Sequence, residues 1–479
     1  MKALSCLGAV LLLFTTRAGV DDKKWVIHEW GTFTSLQNES GDALGGINTD
    51  DEPVPQFVHR LNYNLVLGPT EIPASFSKGA PLCHPDVTMR LETPVIYFHP
   101  PNSQTTVQSA NVTVKFRGGW LTEFFPYAQA SIPGFVQKQI GSFASFESTG
   151  PMKRLSSATE SKLEWNDLSV GGEWPVTKTS AHVWTSPRAV QAASVQTPNY
   201  ESEKFLFYRG IAHIDAPLRI SRDTKTGEFL FRSQLTDLPA DKPLPIRSMW
   251  LVDIQPGGKL AFRPLPPICL DNNSGKILTH TAPEFADADY SRDNLEKLKS
   301  SLHEALVADG LFPDEAQALL NTWELSYFKS TGLRVFFLVP RAWTDFYLPL
   351  ETSLPADINR VMVGRIELIT PQQRNKLRDL AQFSSARIQS EATRMVVTFR
   401  IATLGNNQEW ERLDSGRAPL SSTISVPKTY QTYLDLGRFR NALILDEAAQ
   451  HPSQSLTNFI ATYRLQGFKP AEALSAKGN

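Results

Sequence analysis

Met249-Trp-Leu-Val252, Pro256-Gly257-Gly258 and Leu260-Ala-Phe262 read in succession as strand, glycine turn and strand, and this pattern sets the fold class of the first half of the chain. Glycine adopts the positive φ that tight turns need, and the flanking apolar runs suit a pleated, half-buried surface. The pattern recurs upstream. Leu218-Arg-Ile220 and Phe229-Leu-Phe231 flank Asp223-Thr-Lys-Thr-Gly227, and Val112-Thr-Val-Lys-Phe116 passes through Gly118-Gly119 into Trp120-Leu121. Three predicted hairpins imply an antiparallel, β-sandwich-like region over residues 19–285.

Beyond residue 285 the apolar spacing changes from about two to about 3.6 residues. Leu295, Leu298, Leu302 and Leu306 share one helical face, with Gly310 placed to stop the helix. Pro313-Asp314-Glu315 then opens a second helix carrying Leu319, Leu320, Trp323 and Tyr327, so the two form an αα-hairpin. A strand pair follows from Leu333–Val339 and Val361–Ile369, then a capping box at Thr370 and Gln373 that starts a helix reaching toward Gly405. Helical segments around Tyr430–Ala449 and Ser455–Leu465 close the chain. The whole reads as a β-rich α+β protein, with residues 286–479 as a mixed α/β region.

At the N-terminus, Lys2 is the only charge before the apolar run Ala3–Phe14, and Thr16-Arg17-Ala18 offers small residues where a signal peptidase cuts. Residues 1–18 are therefore predicted to be a signal peptide, and the protein exported, either periplasmic or secreted. The run is too short to span a bilayer, which takes about 20 apolar residues. No later run is long enough either, so no transmembrane segment is expected after cleavage. Loss of Lys2 and Arg17 shifts the formal charge from −1 to −3. That balance provides no broad basic field, and nucleic acid is not an expected partner.

Cleavage also removes Cys6 and leaves Cys83 and Cys269, each in a proline-rich stretch read as a loop. In an oxidising compartment an even pair implies a disulfide, with two free thiols or a Cys83–His84 ligand pair as alternatives. Motifs for zinc proteases, phosphate loops and nucleophile elbows are absent. Ser75–Lys78 and Ser326–Lys329 match Ser-x-x-Lys at the frequency chance allows.

The densest group of ionisable residues is His28-Glu29, Asp50-Asp51-Glu52 and His59. The favoured reading is an acidic surface loop with a hydrogen-bonded histidine; the alternative is a divalent metal held by His28, Asp50, Asp51, Glu52 and His59. His28 and Glu29 lie on a predicted strand and so face opposite ways. His213 and Asp215 would share a strand face and could hold one metal. Glu123, among the aromatics of Trp120-Leu-Thr-Glu-Phe-Phe-Pro126, is the best candidate for a glycan-cleaving acid, with Glu29 as its partner carboxylate. Glu92 and Arg209 could form a buried ion pair.

Four segments carry a family resemblance: His28-Glu-Trp-Gly-Thr-Phe-Thr34, Leu91-Glu-Thr-Pro-Val-Ile-Tyr-Phe98, Leu206-Phe-Tyr-Arg-Gly210 and Val361-Met-Val-Gly-Arg365. They resemble those of a family of uncharacterised exported bacterial proteins, over most of the chain after residue 18. The resemblance implies a bacterial source and a periplasmic or secreted setting, and transfers no catalytic residue or cofactor. The function favoured by the sequence is a non-catalytic binding protein for an envelope or extracellular ligand. The alternative is a secreted or periplasmic hydrolase of a polymer such as a glycan, with or without a metal.

Overall fold

The computed structural model describes residues 24–49, 54–61, 76–77, 80–81, 84–101, 106–141, 143–148, 154–235, 238, 242–404, 426–463 and 465. The predicted signal segment, Asp50-Asp51-Glu52 and Cys83 lie outside them. The protein is β-rich α+β, with 38% strand against 27% helix. Its centre is a nine-stranded mixed sheet built from β1 (Trp25–Gln37), β2 (His59–Arg60), β3 (Met89–His99), β4 (Gly119–Phe125), β5 (Leu206–Ala212), β6 (Met249–Ile254), β7 (Leu260–Leu265), β8 (Gly332–Leu338) and β9 (Ala356–Leu368). The spatial order is β7-β6-β8-β9-β1-β3-β5-β4-β2.

β1 pairs parallel with β9 from Trp25↔Ala356 to Gln37↔Leu368 and antiparallel with β3 on its other side. Twelve of its thirteen residues are buried, and β3 is buried throughout. Such strands are covered on both faces and cannot show the alternation of a half-exposed strand. One face packs against a six-stranded sheet whose strand Gln108–Arg117 does alternate, turning Ala110, Val112, Val114 and Phe116 inward. The other face is covered by α1 (His182–Arg188), α2 (Asn294–Ala308) and α3 (Pro313–Thr322), whose Trp184, Leu298, Leu302 and Leu319 join Trp30, Val95 and Phe207 in a second core. After α4 (Arg341–Tyr347), the C-terminal helices α5 (Pro371–Gln382), α6 (Ser385–Leu404), α7 (Lys428–Leu434), α8 (Arg440–Gln450) and α9 (Gln454–Thr462) extend the first core.

The pairings β6–β7, Leu218–Arg222 with Phe229–Ser233, and β8–β9 form as the sequence predicts. The capping box at Thr370 also forms, its hydroxyl accepting from the Gln373 backbone at 3.2 Å. Three expectations are corrected. The predicted hairpin at Gly118-Gly119 is a corner: Gln108–Arg117 belongs to the six-stranded sheet and β4 to the central one. Gly118 has φ +79°, and a Cβ there would meet Ile214 Cγ2 at 2.1 Å, so the corner requires glycine on two counts. The change of period at residue 285 does not divide two sheets, because β8 and β9 lie between β6 and β1. The helix expected from Thr370 toward Gly405 is broken at Phe383, which is extended (ψ 132°).

Candidate functional site

β1 presents His28 and Glu29 to opposite faces, as strand geometry requires. Glu29 is 1% exposed and both its oxygens are engaged. Tyr208 donates to Oε1 at 2.5 Å, and Arg360 donates through Nε to Oε2 at 2.5 Å, with Nη2 at ion-pair distance from the same oxygen, also 2.5 Å. Arg360 also reaches Asp345 at 2.9 Å. Burial, with the Glu29 carboxylate adding to it, pushes the Tyr208 phenol well above its ordinary range. Burial pulls the Arg360 pKa down, but the Glu29 carboxylate more than offsets it and holds the guanidinium above its ordinary range. Glu123 is 4% exposed and faces Arg209 at 3.3 Å. Tyr208 and Arg209 are neighbours on β5, so the two glutamates lie on opposite faces of the sheet. The proposed Glu29–Glu123 pair does not share a cleft; each acid is half of a buried ion pair. Glu92, expected to meet Arg209, meets Arg90 at 3.2 Å and Arg438 at 3.4 Å.

The candidate metal ligands also separate. His59, on edge strand β2, donates from Nε2 to Glu201 at 2.8 Å and accepts the Ala144 N–H at Nδ1. This pair of bonds defines its tautomer. Three strands separate β2 from β1, so at about 4.8 Å per strand His59 and His28 cannot ligate one ion. His213 lies beyond the end of β5 and binds the Asp86 carbonyl at 2.8 Å, while Asp215 accepts from Gln234 at 3.0 Å. Cys269, expected in a loop, is an exposed free thiol on the short strand Ile268–Leu270. Its expected partner, Cys83, lies outside the described residues.

His28 has companions the sequence did not disclose. Its Nδ1 lies 2.6 Å from Glu315 Oε2, and His99 Nε2 lies 2.9 Å from Glu315 Oε1. His28 and His99 come from adjacent strands, and Glu315 is the third residue of α3, where it also accepts the Phe312 N–H at 2.8 Å. Glu315 was legible only as part of a helix start, and nothing near His99 in the sequence marks it.

His84 is 2% exposed and accepts the Asp86 N–H at Nδ1, at 3.2 Å. Burial pushes its pKa down to about 4, with Asp86 opposing and Arg154 assisting. Between the ordinary imidazole range near 6.5 and about 4, the unfolded chain binds a proton at this site that the folded chain refuses. Stability is therefore complete above about pH 6.5 and falls as the pH drops toward 4, by up to about 3 kcal/mol. Urea unfolding at pH 7.5 and 4.5 measures this loss. His84→Gln should flatten the part of the curve due to this ring, and an unchanged curve would rule the ring out as its source.

The described surface offers one cleft with a distinctive lining, of about 520 Å³, on the outer side of the six-stranded sheet. Tyr127 is half-buried at its side, edge-on to His59, and its backbone N–H is held by Glu201 at 2.6 Å. Gln129, Gln139, Asn166, Asp167 and Asn199 contribute amides and a carboxylate. A bulge between Trp165 and Leu168 exposes Asn166 and Asp167 in succession, with Asp167 at φ +54° and its N–H bonded to Asn111 at 2.8 Å. The next turn brings Tyr200, at φ +67° and 82% exposed, beside the lining residue Asn199. Backbone strain of this kind persists where surrounding structure holds it, and it gathers at ligand sites. Asn199 accepts the Thr197 hydroxyl, while its shielded Nδ2 has no hydrogen-bond partner among the described residues.

No helix among the described residues is long and apolar enough to cross a membrane. Set beside known proteins, the chain matches no protein-family model, and no curated protein sequence is significantly similar to it.

Proposed function

We propose that this is an exported protein that binds glycan, holding a short stretch of sugar chain in the cleft beside Tyr127. The observation that carries the reading is the cleft's lining. Small-molecule pockets are mostly apolar with a few polar groups, whereas amides, carboxylates and a tyrosine dominate here. Planar amides and carboxylates offer paired donors and acceptors to vicinal hydroxyls, and a tyrosine ring offers a flat apolar face to a sugar's C–H groups. Export rests on the charged, then apolar, N-terminal eighteen residues.

The test is titration with soluble oligosaccharides from bacterial envelope and plant polysaccharides, followed by calorimetry. At least one class should bind saturably, and Tyr127→Ala and Asn199→Ala should each weaken it about tenfold or more, which corresponds to about 1.4 kcal/mol. Equal affinity in wild type and Tyr127→Ala, or no binding in any class, would remove the proposal. The cleft also holds Glu164, paired with Lys162 at 2.9 Å. New reducing ends released by wild type but not by Glu164→Gln would replace binding with hydrolysis.

A further inference from the structure

We propose that His28, His99 and Glu315 form a buried site for one first-row divalent transition-metal ion of the zinc class. Among the described residues these three bring their ligand atoms within 4.8 Å of one another. They are 4%, 9% and 0% exposed, and they come from β1, β3 and α3. Two imidazoles and one carboxylate are the donor set of zinc and its neighbours in the first transition row. Calcium and magnesium instead take oxygen ligands.

The atoms that now share hydrogen bonds are those that would bind the ion. At 2.6 and 2.9 Å they are closer than the roughly 3.3 Å edge of a tetrahedron with bonds of about 2.0 Å. Each contact needs to open by less than about 1 Å to admit a metal. The surroundings limit any larger movement. Phe312 lies 4.6 Å from the His28 ring and 4.7 Å from the His99 ring, and its backbone N–H fixes the Glu315 carboxylate at the start of α3. A divalent cation would neutralise the Glu315 carboxylate, which is fully buried. The bound ion would tie two central strands to the helix across them. This site is separate from the glycan cleft, so either proposal can fail alone.

The experiment uses the whole protein prepared without a histidine tag, treated with chelator, incubated with zinc chloride and desalted, with metal counted by plasma mass spectrometry. Wild type should retain one zinc per chain, and its thermal midpoint should fall on chelation. His99→Ala should retain zinc at least about tenfold more weakly and melt at a midpoint indifferent to chelator. Cobalt(II) in place of zinc should give wild type a visible ligand-field spectrum that Glu315→Gln alters. The metal count on wild type needs no variant to fold. Less than one tenth of an ion per chain, roughly, with a midpoint unaffected by chelator, would overturn the site and leave a plain histidine–carboxylate bridge.

Discussion

Arg360→Met should lower the unfolding free energy by about 3–5 kcal/mol, the range for removing one partner of a buried ion pair. Arg360 and Glu29 are 4% and 1% exposed, and two of the guanidinium nitrogens lie 2.5 Å from Glu29 Oε2. Methionine fills a similar volume but leaves Glu29 charged in a dry core, with only the Tyr208 hydroxyl to bond it. The double variant Glu29→Leu/Arg360→Met removes both charges and should return to within about 2 kcal/mol of wild type, since apolar replacements of buried pairs are often near neutral. Urea unfolding of all four proteins gives the coupling. A single-variant loss below about 1 kcal/mol would mean that Glu29 reaches water, and would reopen it as a catalytic candidate.

Trp184→Ala should remove about 3–5 kcal/mol, the usual range for deleting a large buried aromatic side chain. Helix α1 has seven residues, with Pro187 inside it, and a helix that short has no stability of its own. It is held by Trp184, whose ring lies 4.8 Å from Phe207 and 5.3 Å from Phe57 and Phe205, and whose indole N–H donates to Glu203 at 2.8 Å. Arg188 binds the same glutamate at 2.6 Å, so the carboxylate remains paired after the substitution and the loss is mainly cavity. Trp184→Phe should recover more than half of it. Chemical denaturation with tryptophan fluorescence measures both. An alanine variant within about 1 kcal/mol of wild type would show that α1 is dispensable to this core.

Local elements were legible where local chemistry decides them. Pro256-Gly257-Gly258 and Asp223–Gly227 made hairpins, Gly310 stopped α2, and Thr370 with Gln373 capped α5, because each depends on residues within a few positions of one another. Gly118-Gly119 misled for the same reason. A glycine corner between two sheets and a hairpin have one local pattern, and the difference lies in which distant strand accepts each side. The parallel pairing of β1 with β9 joins residues more than three hundred positions apart and leaves no periodic trace, since both strands are buried on two faces.

The candidate site divides along the same line. Residue type and strand alternation were enough to single out His28 and Glu29 and to send them to opposite faces, because a strand repeats every two residues wherever it lies. Their partners were not readable. Glu315 is 287 residues from His28, and Arg360 is 331 from Glu29. The tertiary fold turned Glu29 and Glu123 from a supposed catalytic pair into two buried ion pairs, and His28 from a lone histidine into one of three clustered ligands. It also assembled the polar cleft from segments near residues 127, 139, 166 and 199. Backbone conformation is set by neighbours in the chain, so the sequence alone determined the class of elements and the face each residue takes. Burial and charge pairing are set by neighbours in space, so only the tertiary structure decided which of those faces meet and what chemistry they can perform.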